Sequence, residues 1–264
     1  MPGSTEPTPA AADGPAEIIR AAGVTRRFGS LTAVSDVSFN VSAGDIVGLV
    51  GSDGAGKTTL LRMLATMLAP SSGTIRVGGL DVVRERSGVK EMIGYMPQRF
   101  GLYQDLTVAE NLDFFMDIYG IFGAERRRRR ERYLGFSNLL PFVDRKAADL
   151  SGGMKQKLGL ACVLVHEPRI LILDEPTNGV DPLSRQEFWQ ILADMQQGGK
   201  TILVSTAYLD EGERCDRLLL MHNARILADA VPAEVRGEFE SLETAMIHRI
   251  QAVDQTLSED SFGR

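Results

Sequence analysis

The octapeptide GSDGAGKT, Gly51 to Thr58, constrains the fold of this chain more than any other stretch. It has the form Gly, four residues, Gly-Lys-Thr. It joins an unbroken apolar run, Ile46 to Val50, to a segment in which Leu60, Leu61, Leu64 and Leu68 recur at helical spacing. A buried strand that turns through glycines into a helix is the opening of an α/β sheet, with its chemistry at the C-terminal end of the strand. Glycines let the backbone wrap closely, so that successive N–H groups and the helix N-terminus point at one anion. Gly51, Ser52, Asp53, Gly54, Ala55, Gly56, Lys57, Thr58 and Thr59 are therefore candidates to bind the phosphates of a nucleotide. Lys57 supplies a point charge toward the β- and γ-phosphates, and Thr58 is a candidate magnesium ligand. Pro70 and the following SSG are expected to stop the helix.

A phosphate loop of this kind calls for a carboxylate at the end of another strand. RILILDEP provides Asp174 and then Glu175. Adjacent strand residues point in different directions, so Asp174 fits the metal side and Glu175 fits an attacking water, as general base or polarising acceptor. A third glycine-rich element, LSGGMKQK, opens a helix with Ser151, Gly152 and Gly153. Alone it fits a tight helix start as well as an anion-friendly one. Beside the other two elements it points to an ATPase.

The remaining pattern arranges these elements. Residues 1–17, rich in Pro, Ala and Gly, read as a flexible tail. The segments IIRAAGVTRRF and TAVSDVSFNV suggest a small antiparallel layer at the front of an ATP-binding core spanning 18–98. Residues 99–150 read as a helical subdomain in which Thr107 and Glu110 form a capping box. The core resumes over 151–240 with a helix to about Val165, the strand RILILD, a helix over SRQEFWQILADM and the strand TILVST. Phe188, Trp189 and Ile191 fit core packing. Residues 241–264 read as a terminal helix and polar tail. The expected fold class is thus α/β, a P-loop nucleoside triphosphatase core with an antiparallel β layer and an inserted helical subdomain.

Composition narrows the function. A net charge of −6 argues against a broad nucleic-acid surface, and the five arginines Arg126 to Arg130 read as a solvated helix face beside Glu125 and Glu131. Cys162 and Cys215 have no metal-ligand spacing to the three histidines. No run is long enough to cross a bilayer, so work at a membrane requires an anchor outside the sequence read here.

Together these motifs resemble the ATP-binding cassette subunits of membrane transporters. GSDGAGKTT is similar to their phosphate loop, LSGGMKQK to their signature and LILDEPTNGVDP to their second acidic motif with its following loop. The likeness runs from about Ile18 to Ala230 in the same order, and QRFGLYQDLTVAENLDFF resembles the drug, polysaccharide and lipid exporter branch. From the resemblance, Phe28 stacks on adenine and Gln98 contacts the magnesium or water region. Asp181 communicates across a dimer, and Ser151 and Gly153 serve the γ-phosphate on the opposite subunit. ATP and Mg2+ are the implied cofactors. The implied partners are a second cassette, identical or not, and a transmembrane permease, with the chain peripheral on the cytoplasmic face of the membrane.

One position departs from the family pattern. The strand TILVST is followed by Ala207, where the family carries a histidine that contacts the γ-phosphate. Alanine cannot donate that bond, so slower hydrolysis is expected. Ala207 also resembles the first cassettes of tandem proteins whose second cassette keeps the histidine. A soluble ATPase acting on ribosomes or nucleic acid, or a regulatory nucleotide-binding module, stays open as an alternative.

Overall fold

The computed structural model describes residues 16–262. Most of the stretch read as a tail therefore lies outside the described residues. The first strand opens at Glu17, inside that stretch.

Two sheets share the chain. Strands β1 (Glu17–Phe28) and β2 (Leu31–Ser42) form an antiparallel hairpin, joined on the far side of β1 by β4 (Ser72–Val77) and the short β5 (Leu80–Asp81). The second sheet runs β10 (Arg225–Ala230), β9 (Arg217–His222), β3 (Ile46–Val50), β8 (Thr201–Thr206), β7 (Ile170–Asp174), β6 (Ile93–Met96). Its strands are parallel except for β10, which returns antiparallel to β9. Every residue of β3, β7 and β8 is buried, as in parallel strands covered on both faces.

The alternation along these strands divides the core. Val47, Leu49, Ile170 and Ile172 face α1 (Lys57–Leu64) and the antiparallel layer. Leu171, Leu173, Ile202 and Val204 face the opposite cluster. There they meet α5 (Gly152–Leu164) and α6 (Pro182–Gln197), with Phe188, Trp189 and Ile191 buried as expected. The free thiols Cys162 and Cys215 are also buried, and burial raises both well above the ordinary thiol range.

Two local expectations change, and one helix is added. Helix α1 ends at Leu64, short of Leu68 and Pro70: Ala65 caps it, Thr66 takes φ +61°, and the N–H groups of Met67 and Leu68 both donate to Arg62 O. The Arg86–Met92 helix, α2, had no visible pattern because Val89 is its single buried residue. The acidic stretch after β8, whose pattern reads as a helix, forms a 3-10 turn instead, Leu209–Arg214.

Between β6 and α5 lie α3 (Val108–Ile118) and α4 (Gly123–Phe136), followed by two 3-10 turns. The capping box is present: Thr107 Oγ1 accepts from Glu110 N at 3.2 Å, and Glu110 Oε2 accepts from Thr107 N at 2.8 Å. The arginine run of α4 is more than a solvated face. Arg126 pairs with Asp117 and Arg130 with Asp113, fastening α4 to α3. Arg129 donates to Val165 O, and Arg132 pairs with Glu167 at 2.9 Å, fastening α4 to the turn before β7. Partners 9 to 36 residues away thus hold Arg126, Arg129 and Arg130, while Arg127 and Arg128 are exposed as expected, Arg128 beside Glu125.

Beyond β10 come a short helix, α7 (Pro232–Arg236), and α8 (Leu242–Phe262), which extends through most of the stretch read as a polar tail. Among the described residues, no helix is long and apolar enough to cross a membrane.

Candidate functional site

A cleft of about 660 Å³ opens at the C-terminal ends of β3 and β7. Phe28, Asp53, Gly54, Gly56, Lys57, Thr58, Thr59, Gln98 and Glu175 line it, all named by sequence reasoning, together with Leu31, Thr32, Ala33, Asn223 and Ala224. Its wall is the phosphate loop, and the close approach of backbone around that loop explains two of its glycines. A Cβ at Gly51 would lie 2.1 Å from Met221 O. At Gly56, where φ is +109°, one would lie 2.2 Å from Ala33 O. Ser52 and Asp53 are exposed beside Gly54, and Ala55 is buried beneath them. No side chain caps the start of α1, so the helix N-terminus faces the cleft with backbone N–H groups available to an anion.

Lys57 is the cation of the site and is 4% exposed. Its Nζ donates to Gly51 O at 2.7 Å and Ser52 O at 3.1 Å, and lies 3.3 Å from Glu175 Oε1. The two neighbouring acids divide as the strand alternation required. Asp174 Oδ1 accepts from Thr58 Oγ1 at 3.0 Å and Ser205 Oγ at 2.9 Å, while its Oδ2 is buried with no partner. Burial raises the Asp174 carboxyl, against the lowering effect of those two hydroxyls. A hydroxyl and a carboxylate oxygen side by side, one of them lacking a donor, suit a hard divalent cation that completes its shell with phosphates and water.

Glu175 serves the other side. Its Oε2 accepts from Gln98 Nε2 at 2.8 Å and Asn178 Nδ2 at 3.1 Å. The residue sits at φ +48°, a strained conformation for a side-chain-bearing residue. Two bonds from its N–H hold it there, to Ser205 O at 3.1 Å and Ser205 Oγ at 3.0 Å. Gln98 thus touches the water-side carboxylate, and the structure shows it no closer tie to Asp174.

Phe28 is 45% exposed at the mouth of the cleft, with the Arg26 guanidinium 4.5 Å from its ring centroid, leaving ring surface open to stacking. Ser151, Gly153 and Asp181 do not line this cleft; they gather at the adjoining starts of α5 and α6. Ser151 caps α5 through Met154 N at 3.3 Å, and Asp181 caps α6 through Ser184 N at 2.9 Å. That bond also holds the Asp181 carboxyl below its usual range. Gly153 is fixed by this packing, because a Cβ there would lie 2.4 Å from Ser184 Cβ. Ser151, Gly152 and Asp181 are exposed, and none of them lines the cleft that holds Lys57.

Sequence reasoning missed Ser205, Asn178, Asn223 and Ala224. Asn223 and Ala224 form the β9–β10 turn at φ +45° and +66°. Ala224 N donates to Ala55 O at 3.1 Å, joining that turn to the phosphate loop.

Ala207 follows β8 and is exposed. Tyr208 turns to the Arg185 guanidinium, 4.5 Å from its ring centroid. None of the three histidines substitutes: His166 stacks on Tyr119, His222 bonds Asp254 at 2.8 Å and His248 packs on Phe239.

Comparison with known proteins accords with this site. The family model described as ABC transporter matches residues 34–178. The "Probable multidrug ABC transporter ATP-binding protein YbhF" of Escherichia coli (strain K12) is 48% identical over 81% of this chain and 38% of its own length. The chain thus spans well under half of that relative. The "Nod factor export ATP-binding protein I" of Paraburkholderia xenovorans is 41% identical over 80% of this chain and 69% of its own. A solved "ATP binding subunit of ABC transporter" superposes with TM-score 0.78 at 29% identity, over 88% of this chain and 99% of that one. The ADP- and phosphate-bound dimer of MJ0796 shares the fold, with TM-score 0.73 at 24% identity over 81% of this chain and 98% of that one. With the sequence likeness added to a phosphate loop and acidic strand end that meet around one cleft, the chain belongs to the ABC transporter family as one of its ATP-binding, ATPase cassettes.

Proposed function

We propose that this cassette closes on Mg-ATP with a second cassette, identical or not, and drives a separate transmembrane exporter from the cytoplasmic face of the membrane, hydrolysing ATP slowly for its family. Ala207 carries the proposal about rate: a complete Lys57, Gln98, Asp174 and Glu175 set lies beside a strand end with no histidine. The names of the multidrug and Nod-factor relatives support the exporter reading.

In this reading the adenine stacks on Phe28 and the phosphates lie along Gly51 to Thr59. Lys57 exchanges its hold on Gly51 and Ser52 carbonyls for the β- and γ-phosphate oxygens. Thr58 and Asp174 Oδ2 would hold magnesium, with Gln98 as a further candidate ligand, and the ion would supply charge neutralisation. Glu175, its Oε2 fixed by Gln98 and Asn178, orients a water toward the γ-phosphorus and accepts its proton as the bond to the β–γ bridging oxygen breaks. Ser151, Gly153 and Asp181 serve the nucleotide of the partner cassette. The division at 18–98, 99–150 and 151–240 then corresponds to core, helical subdomain and returning core.

Turnover of the purified protein and of Ala207→His tests the rate. A restored transition-state donor raises kcat by about tenfold or more with nucleotide affinity unchanged; no gain at unchanged affinity removes the proposal. The likeness of Ala207 to the first cassettes of tandem proteins supports a second arrangement, in which this weak site pairs with a stronger one on a nonidentical cassette. Mixing the chain with such a cassette and measuring which acid, this Glu175 or the partner's, limits turnover distinguishes the two.

A further inference from the structure

Behind Ala207 lies a buried carboxylate that the site described so far does not use. Glu211, in the 3-10 turn after β8, is 2% exposed. Thr177 Oγ1 donates to it, 2.8 Å from Oε1 and 3.1 Å from Oε2, and Thr206 Oγ1 donates to Oε2 at 2.6 Å. Both threonines are 1% exposed. Arg185 Nε, from the first turn of α6, stands 3.9 Å from Oε1.

These partners belong to functional segments. Thr177 lies two residues after Glu175, in the same tight turn: Asn178 N donates to Glu175 O at 3.2 Å, and Val180 N donates to Thr177 O at 3.2 Å. Asn178 in turn grips the Glu175 carboxylate. Thr206 is the last residue of β8 and receives the N–H of Tyr208 at 3.0 Å, spanning Ala207. Glu211 therefore ties the turn that sets Glu175 to the strand end that carries Ala207, with Arg185 beside Asp181 and Ser184 at the edge of the network.

We propose that Glu211 is a positioning residue for hydrolysis, its buried carboxylate locking the Glu175 turn to the end of β8 through Thr177 and Thr206. Space filling alone does not call for a carboxylate, which is costly to bury unless directional donors satisfy it. Here two hydroxyls from two different catalytic segments do so. The lock adds to the hold that Ser205 exerts on Glu175 from β8. The proposal rests on Glu175 acting as the hydrolytic carboxylate.

The test uses Thr177→Val, Thr177→Ser, Glu211→Gln and the double variant Thr177→Val/Glu211→Gln, with Glu175→Gln as reference. Readouts are kcat and KM for ATP, equilibrium binding of a fluorescent ATP analogue, and melting temperature. Thr177→Val keeps the shape and removes one hydroxyl. It should lower kcat about fivefold to tenfold while KM and affinity stay within about twofold. Thr177→Ser should restore wild-type kcat, and the double variant should lose no more than the worse single variant, since both break one tie. Unchanged kcat in Thr177→Val and Glu211→Gln overturns the proposal. So does a loss of kcat matched by affinity and melting temperature that serine fails to rescue. Full turnover in Glu175→Gln overturns instead the role of Glu175, and this proposal with it.

Discussion

Asp174 and Glu175 are adjacent in sequence and serve different atoms, because the strand ends between them and the chain turns at Glu175 into φ +48°. Ser205, on the neighbouring strand, holds both: its hydroxyl donates to Asp174 Oδ1 and accepts from Glu175 N. Ser205→Ala should therefore cost about 1–3 kcal/mol, the range for a buried group losing its partner, seen as a lower melting temperature. It should also lower kcat more than it raises KM, because both acids lose a support while the phosphate loop is untouched. Sequence reasoning could not name Ser205, whose importance arises from the pairing of β7 with β8 in parallel register. The phosphate loop was legible for the opposite reason. Gly51 to Thr58 are contiguous, and their chemistry follows from spacing alone. Glu211, by contrast, is an ordinary turn residue until the fold brings Thr177 to it.

Among the elements, those with an internal signal matched their sequence reading. The apolar runs of β3, β7 and β8 form the buried centre of the sheet, and Thr107 caps α3 through its box with Glu110. Thr107→Ala should destabilise the protein by about 1 kcal/mol, a melting-temperature drop of about 2–4 °C for a chain of this size. Hydrogen bonds from the Thr107 N–H and hydroxyl hold the Glu110 carboxyl below its usual range. Its contribution is then complete above the unfolded pKa and fades as pH falls through the lowered folded value. The stability gap between wild type and Glu110→Ala should close correspondingly in acid. Elements set by distant partners were misread. The end of α1 depends on where the chain turns at Thr66, and the arginines of α4 depend on Asp113, Asp117 and Glu167. A charge run in sequence carries no record of which acids the fold will set against it.

At the scale of the whole molecule, the two groups of glycine-rich residues lie apart, which a single chain reading of the motifs does not explain. The cleft gathers Phe28, Lys57, Gln98 and Glu175, whereas Ser151, Gly152 and Asp181 are exposed at the joined starts of α5 and α6. On the proposed function, the helix entrance at Ser151 serves a nucleotide presented by a second cassette. Ser151→Asp isolates that use. Aspartate is as good an N-cap as serine, so α5 and the fold should persist, with melting temperature unchanged. Its added charge, however, would face the partner's phosphates, where two like charges about 4 Å apart repel by about 4 kcal/mol at an interfacial dielectric near 20. In a Glu175→Gln background, where the proposed role of Glu175 predicts that ATP binds and is not consumed, the parent protein should elute as a dimer with ATP. Ser151→Asp should elute as a monomer while still binding a fluorescent ATP analogue with parental affinity. An ATP-dependent dimer that tolerates Ser151→Asp would place the partner's nucleotide somewhere other than the start of α5.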